Sequence, residues 1–375
     1  MDLISYFHSI KKELNEKKLN EADISAFAEL AYLDYSLLSN KLPYKINDLT
    51  QEEIDLASQN VLEKTQCRQL IKEIINSNRF ANVELIDFYN LQEPSKNIPV
   101  SFNACTFKIS NTYVVCYGGT DITYGGWYES LALSFSDNIP AQKEALIYLS
   151  NIASKTDKNS KIIIIGHSKG GNLAEWSATF APKFIQAKIS RVINLEGPGN
   201  RTNIFATENY RHIKKKVKKY ITSSSIIGVL LFDNPNYKII SSRAITGVLQ
   251  HSIFTWKFKE NGMFIFEKER SKSSIALSLS ISNWLSSFSD DELKSSLNIL
   301  FRFLEEAGIK DQSDFLENFI SYTKKIYKVY SKSPSEIKRN FAKSITKLIV
   351  SFLKYRFMSK KKLIKIEAKQ IKKRN

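Results

Sequence analysis

Cysteine and histidine are scarce in this chain: 375 residues contain three cysteines and four histidines. Cys67, Cys105 and Cys116 are odd in number and form no staple framework, so a reducing, cytoplasmic setting is expected. Cysteines and histidines never fall at ligand spacing, so neither a metal site nor a cofactor is expected. No run of about 18 apolar residues occurs, which leaves no segment suited to span a bilayer. Met1 to Lys18 alternates apolar and charged residues and lacks the apolar core of a secretory leader. Gly166 to Gly171 lacks the glycine and lysine order of a phosphate loop. A hydrophobic share of 43% is nonetheless ample for a sizeable core.

What the chain does have is a strand, a tight turn and a helix in one short stretch. Ile162 to Ile165 is an unbroken β-branched run, the pattern of a strand buried on both faces. Gly166-His167-Ser168-Lys169-Gly170 ends it. Leu173, Trp176, Ser177 and Phe180 then keep helical spacing until Ala181-Pro182. A G-x-S-x-G turn in that setting places its serine at the carboxyl end of the strand, where the first amides of the following helix favour a developing negative charge. Ser168 is the candidate nucleophile.

Strands are expected at Val83–Tyr89, at Ile189–Leu195, at Val217–Thr222, at Tyr237–Ser241 and at Phe254–Phe258. Ser101–Ile109 and Thr112–Tyr117 read as a hairpin turning at Ser110-Asn111, with Cys105 opposite Cys116 as two buried thiols. Helices are expected over residues 1–20 and 21–38, between Leu42 and Asn78, from Pro140, and throughout the chain past Lys268. Alternating strands and helices indicate an α/β fold with a mainly parallel sheet and helices on both faces. Three regions result: a domain over 1–268, a helical region over 269–353 and a basic tail over 354–375.

A serine needs a base, and four histidines permit elimination. His8 lies in an N-terminal helix, His212 in a basic run, and His167 beside Ser168, where neighbouring side chains point apart. His251 follows the last core strands, where the base of a Ser, acid, His order falls. For the acid, Glu196 closes the strand after the elbow and Asp233 stands one strand later; Glu196 is preferred, with Asp233 the alternative. Tyr117-Gly118-Gly119-Thr120-Asp121 ends a strand with freely turning amides, so Thr120 and Lys169 are the candidate oxyanion donors.

Tyr117-Gly118-Gly119-Thr120-Asp121, Gly166 to Gly171, Glu196-Gly197-Pro198-Gly199, Ser225 to Leu231 and Gln250-His251 together resemble a bacterial α/β-hydrolase group of unassigned function, close to the class 3 lipases. The resemblance covers roughly residues 20–310 and implies an α/β-hydrolase-like fold. Relatives commonly carry arginine where this chain has Gly118, which would loosen the loop holding Thr120. Class 3 lipases place an aspartate where this chain has Ser225, so the resemblance does not supply the acid.

The expected function is a serine hydrolase cleaving a small ester, thioester or lipid, with a decayed binding or scaffold protein as the alternative. The charge of +17 is concentrated late: Lys354 to Arg374 holds ten Lys or Arg against Glu367, a net +9. Nucleic acid is an unlikely partner, because the glycine-aromatic pattern of single-strand binders and the ligands of a zinc finger are missing. Ile345, Leu348, Ile349, Phe352 and Leu353 keep helical spacing ahead of Lys360-Lys361-Lys362, so peripheral contact with anionic membrane is expected through this tail. A core-packed helix with a solvated tail is the plainer reading.

Overall fold

A computed structural model describes residues 1–14, 19–95, 97–311, 314–315 and 318–374. Among the described residues, nine strands lie side by side in chain order: β1 (Tyr44–Lys45), β2 (Glu84–Glu93), β3 (Val100–Ile109), β4 (Thr112–Tyr117), β5 (Lys161–His167), β6 (Ile189–Leu195), β7 (Val217–Thr222), β8 (Tyr237–Ile240) and β9 (Phe266–Glu267). β4 to β8 run parallel, and antiparallel strands extend both margins. This is an α/β fold with a parallel centre.

Successive residues of a strand face opposite sides of a sheet. Ile162 and Ile164 of β5 therefore pack with α6 (Pro140–Ser154), α7 (Lys169–Phe180), α8 (Lys183–Lys188) and α9 (Glu208–Ile213). Ile163 and Ile165 pack with α1 (Leu3–Ser9), α2 (Glu21–Leu30) and α4 (Lys64–Ser77). When parallel strands follow one another in order with right-handed crossovers, the connecting helices fall on one face. The N-terminal helices cover the other, which is why the isoleucine run is continuous rather than alternating.

Several elements differ from their sequence signals. The first helix stops at Ser9, residues 15–18 lie outside the described chain, and α2 gives way after Leu30 to a 3₁₀ turn at Ser36–Lys41. Leu42 to Asn78 holds two helices, α3 (Gln51–Ala57) and α4. Phe254–Phe258 forms no strand. Ile253–Thr255 is a 3₁₀ turn, and Phe258 exchanges both of its main-chain hydrogen bonds with Met1 at 2.8 and 2.9 Å. Cys105 and Cys116 face each other across the β3–β4 hairpin as buried thiols.

Beyond Lys268 come α11 (Lys272–Leu285), α12 (Asp290–Glu306), α13 (Phe319–Lys332), α14 (Ser335–Arg356) and α15 (Lys360–Arg374); α5 (Tyr124–Ala132) and α10 (Gly247–Gln250) precede them. These helices border the strand ends at two places. The rings of Tyr124, Trp127 and Tyr128 on α5 pack against Phe301 of α12. At the start of α11, the Ser271 amide donates to the Ser223 carbonyl at 2.7 Å and the Ser274 hydroxyl to the Ser225 carbonyl. Within the basic stretch, Lys354 to Arg356 thus end α14 and Lys360 to Arg374 form α15.

Candidate active site

Ser168 stands between β5 and α7 with φ 55° and ψ −128°, a conformation costly for a residue with a side chain. The turn is tight enough that a β-carbon on Gly166 would lie 2.0 Å from the Gly170 carbonyl oxygen, so glycine is required there. The Ser168 amide donates to the Leu195 carbonyl at 2.9 Å, which ties the elbow to the end of β6. Its side chain is half-buried; the Gly171 amide turns back to the Ser168 carbonyl at 2.9 Å, and the Lys169 amide stands at the open N-terminal end of α7.

Glu196 follows β6 directly, also at φ 55°, and is fully buried. Its carboxylate accepts from the Thr222 amide at 2.5 Å, the Thr222 hydroxyl at 3.0 Å, the Ser225 hydroxyl at 2.9 Å and His251 Nδ1 at 3.3 Å. Burial alone would push its pKa up; the His251 ring, the Thr222 amide and the Ser225 hydroxyl outweigh it and hold the carboxyl below its ordinary value. Glu196 is therefore ionised, and the proton between the two groups sits on His251 Nδ1. The other ring nitrogen, Nε2, has no hydrogen-bond partner among the described residues.

Asp233 is elsewhere: it is bonded to the buried ammonium of Lys219, which also donates to the Gly197 carbonyl at 2.8 Å. Burial pushes the Asp233 pKa up to about 7 despite that partner. Of the two candidate acids, only Glu196 touches His251 among the described residues.

His167, set aside in the elimination because it adjoins Ser168, joins three parts of the site. Its Nε2 lies 2.9 Å from the His251 carbonyl and its Nδ1 2.9 Å from the Tyr32 hydroxyl, and its ring lies 4.6 Å from that of His251. A carbonyl can only accept, so Nε2 carries the proton and Nδ1 accepts from Tyr32. The Tyr32 hydroxyl in turn accepts from the Gly119 amide. Burial, reinforced by the His251 ring, holds the His167 pKa well below the ordinary histidine value, so the ring is neutral. The loop around Gly119, the elbow and the His251 loop are thus linked by one chain of hydrogen bonds.

Thr120, next to Gly119, is half-buried and its hydroxyl is bonded to that of Ser130 at 2.7 Å. Gly118 is tied to β3 at the start of this loop. Its amide donates to the Asn103 carbonyl at 2.8 Å, and a β-carbon there would come within 2.7 Å of the Ala31 carbonyl oxygen. The Lys169 side chain turns inward. It is 1% exposed and its ammonium reaches the buried Glu129 carboxylate at 2.9 Å and the Ser101 carbonyl at 2.5 Å. Sequence reading offered no signal for this pair, whose members stand 40 residues apart. Among the described residues, no three His, Cys, Asp or Glu side chains gather as metal ligands would. Nor does a hydrogen bond join the Ser168 hydroxyl to the His251 ring.

Among solved structures, the chain is similar to the crystal structure of M37 lipase at 16% identity, covering 57% of this chain and 69% of that one with a TM-score of 0.34. It is also similar to a triacylglycerol lipase from Penicillium expansum at 10% identity, covering 50% and 82% of the two chains with a TM-score of 0.27. No relative was found among curated proteins. A family model described as Mbeg1-like matches residues 74–302, more than half of the chain, with Ser168, Glu196 and His251 inside the match. With its serine elbow between a parallel strand and a helix, the chain has an α/β-hydrolase-like fold, and by this match it belongs to the Mbeg1-like family.

Proposed function

We propose that the protein is a serine hydrolase acting on esters or thioesters with an apolar acyl part. Ser168 Oγ attacks the carbonyl carbon while His251 Nε2 takes its proton, and the Glu196 carboxylate stabilises the imidazolium through Nδ1. The oxyanion is received by the amides of Thr120 and Lys169. Collapse of the tetrahedral intermediate expels the alkoxide or thiolate, which takes the proton from His251. Water then repeats the sequence on the acyl-serine.

The observation that carries the reading is a serine in a costly turn conformation whose chain neighbour, His167, packs on a His251 bonded to a buried, ionised Glu196. An apolar rim supports the substrate class: Ile245, Val248 and Leu249, just before His251, are 90%, 70% and 60% exposed. Fluorophosphonate labelling tests the nucleophile. Wild type labels at Ser168 and hydrolyses short p-nitrophenyl esters, whereas Ser168→Ala does neither.

The second reading, a binding or scaffold protein on the same fold, is favoured by the missing Ser168–His251 hydrogen bond. Catalytic contacts commonly tighten only around substrate, so that gap does not decide the matter. Absence of labelling in a folded wild-type protein would favour the scaffold.

A further inference from the structure

The α14 helix presents small polar residues to the protein and large apolar ones outward. Ser344, Ser351 and Tyr355 are buried. Ser344 and Ser351 form a hydrogen-bonded seam with α11: the Ser351 hydroxyl donates to the Ser280 carbonyl at 3.0 Å, Asn283 Nδ2 to the Ser351 hydroxyl at 3.1 Å, and Trp284 Nε1 to the Ser344 carbonyl at 3.0 Å. On the opposite side, Ile345, Ile349, Leu353 and Phe357 recur every four residues and are 41%, 52%, 49% and 79% exposed, with Val350 beside them at 60%. A helix on a water-facing surface has the reverse arrangement.

Charge surrounds this row. From Ser335 to Arg374 there are fourteen Lys or Arg against Glu336 and Glu367, a net +12 of the chain's +17. α15 is held on the same support by buried Leu363, by Arg270 to Glu367 at 2.6 Å and by Lys360 to Glu269 at 2.7 Å. Lys361, Lys362, Lys365 and Lys369 are left exposed.

We propose that the outer face of α14, with the lysines of α15, docks on an anionic lipid bilayer. The apolar row enters the boundary between headgroups and acyl chains, and the lysines meet the anionic headgroups. A nucleic acid would satisfy the lysines but leave the apolar row in water. A second copy of this face would bring like charge against like charge. Among the described residues no helix is long and apolar enough to cross a membrane, so the contact is peripheral. The proposal does not depend on catalysis.

The test is sedimentation of the full chain, as Ser168→Ala, with vesicles of pure phosphatidylcholine and with phosphatidylglycerol-rich vesicles. Binding to the anionic vesicles should be on the order of tenfold tighter and weaken with salt. Ile349→Ser with Leu353→Ser should lower it on the order of tenfold at low salt, and Lys361→Gln with Lys362→Gln and Lys365→Gln should remove the preference for anionic lipid. Phe357→Ser, at the exposed helix end, replaces the double variant if that one misfolds. No pelleting, or pelleting untouched by either apolar variant, overturns the proposal. Tighter binding to single-stranded RNA than to the anionic vesicles, unaffected by the apolar variants, overturns it in favour of a nucleic-acid partner.

Discussion

Two carboxylates that look alike in the sequence differ in what each one holds. Glu196 serves His251, so Glu196→Gln should lower kcat on the order of 10⁴-fold while the protein stays folded. Asp233 serves Lys219, whose side chain is 0% exposed. Asp233→Asn should instead cost about 3 kcal/mol of stability by leaving a buried cation without a countercharge. Urea denaturation and ester turnover, measured on both variants, separate the two roles; a larger loss of turnover in Asp233→Asn would reverse the assignment. His167 makes a different demand. Its folded pKa is far below the ordinary 6.5, so below that pH the unfolded chain binds a proton that the folded chain does not, and stability falls as pH falls. From about pH 7.5 to about pH 5.5 the loss is about 1.4 kcal/mol. His167→Asn should show a correspondingly shallower decline in the same titration of denaturation midpoints.

The elbow helix α7 is anchored by a cation rather than by a cap, since Ser168 makes no side-chain capping bond and Lys169 reaches down to Glu129 on α5 and Ser101 on β3. Lys169→Met should therefore destabilise by about 3 to 5 kcal/mol through the stranded Glu129, and adding Glu129→Leu should restore most of it. A double-mutant cycle by thermal denaturation measures the coupling, and additive losses would show that the pair does not act as a unit. Elements built from local pattern were legible in the sequence: the isoleucine run of β5, the Cys105 to Cys116 hairpin and the helix after the elbow each carry their own period. Phe254 to Phe258 carried the period of a strand too, but Met1 takes the main-chain groups of Phe258, which no local pattern announces. The two-residue strands β1 and β9 are too short to leave a signal. In the site, Ser168 and Glu196 at strand ends and His251 after the last parallel strand followed from element order. The Tyr32 to His167 link and the Lys169 to Glu129 pair did not, because each joins residues far apart in the chain.

Across the whole molecule, the C-terminal helices touch both sides of the site. α12 packs on α5, which follows the Thr120 loop, while the start of α11 holds the Ser223 to Ser225 loop that bonds Glu196. The strand order has a kinetic consequence of its own. Each strand pairs with its chain neighbour, so the sheet can grow from short-range contacts, strand by strand, in the order of synthesis. The first helix cannot lock early: the Met1 main chain pairs with Phe258, 257 residues away, and α1 packs beside that late segment. In pulsed hydrogen exchange during refolding, amides of β3 to β5 should gain protection before those of α1, and the reverse order would refute stepwise growth. The α1 segment, although made before the strands, is then the last to close, and until Phe258 has emerged, the part of the apolar face that α1 covers remains open to chaperones and to other nascent chains.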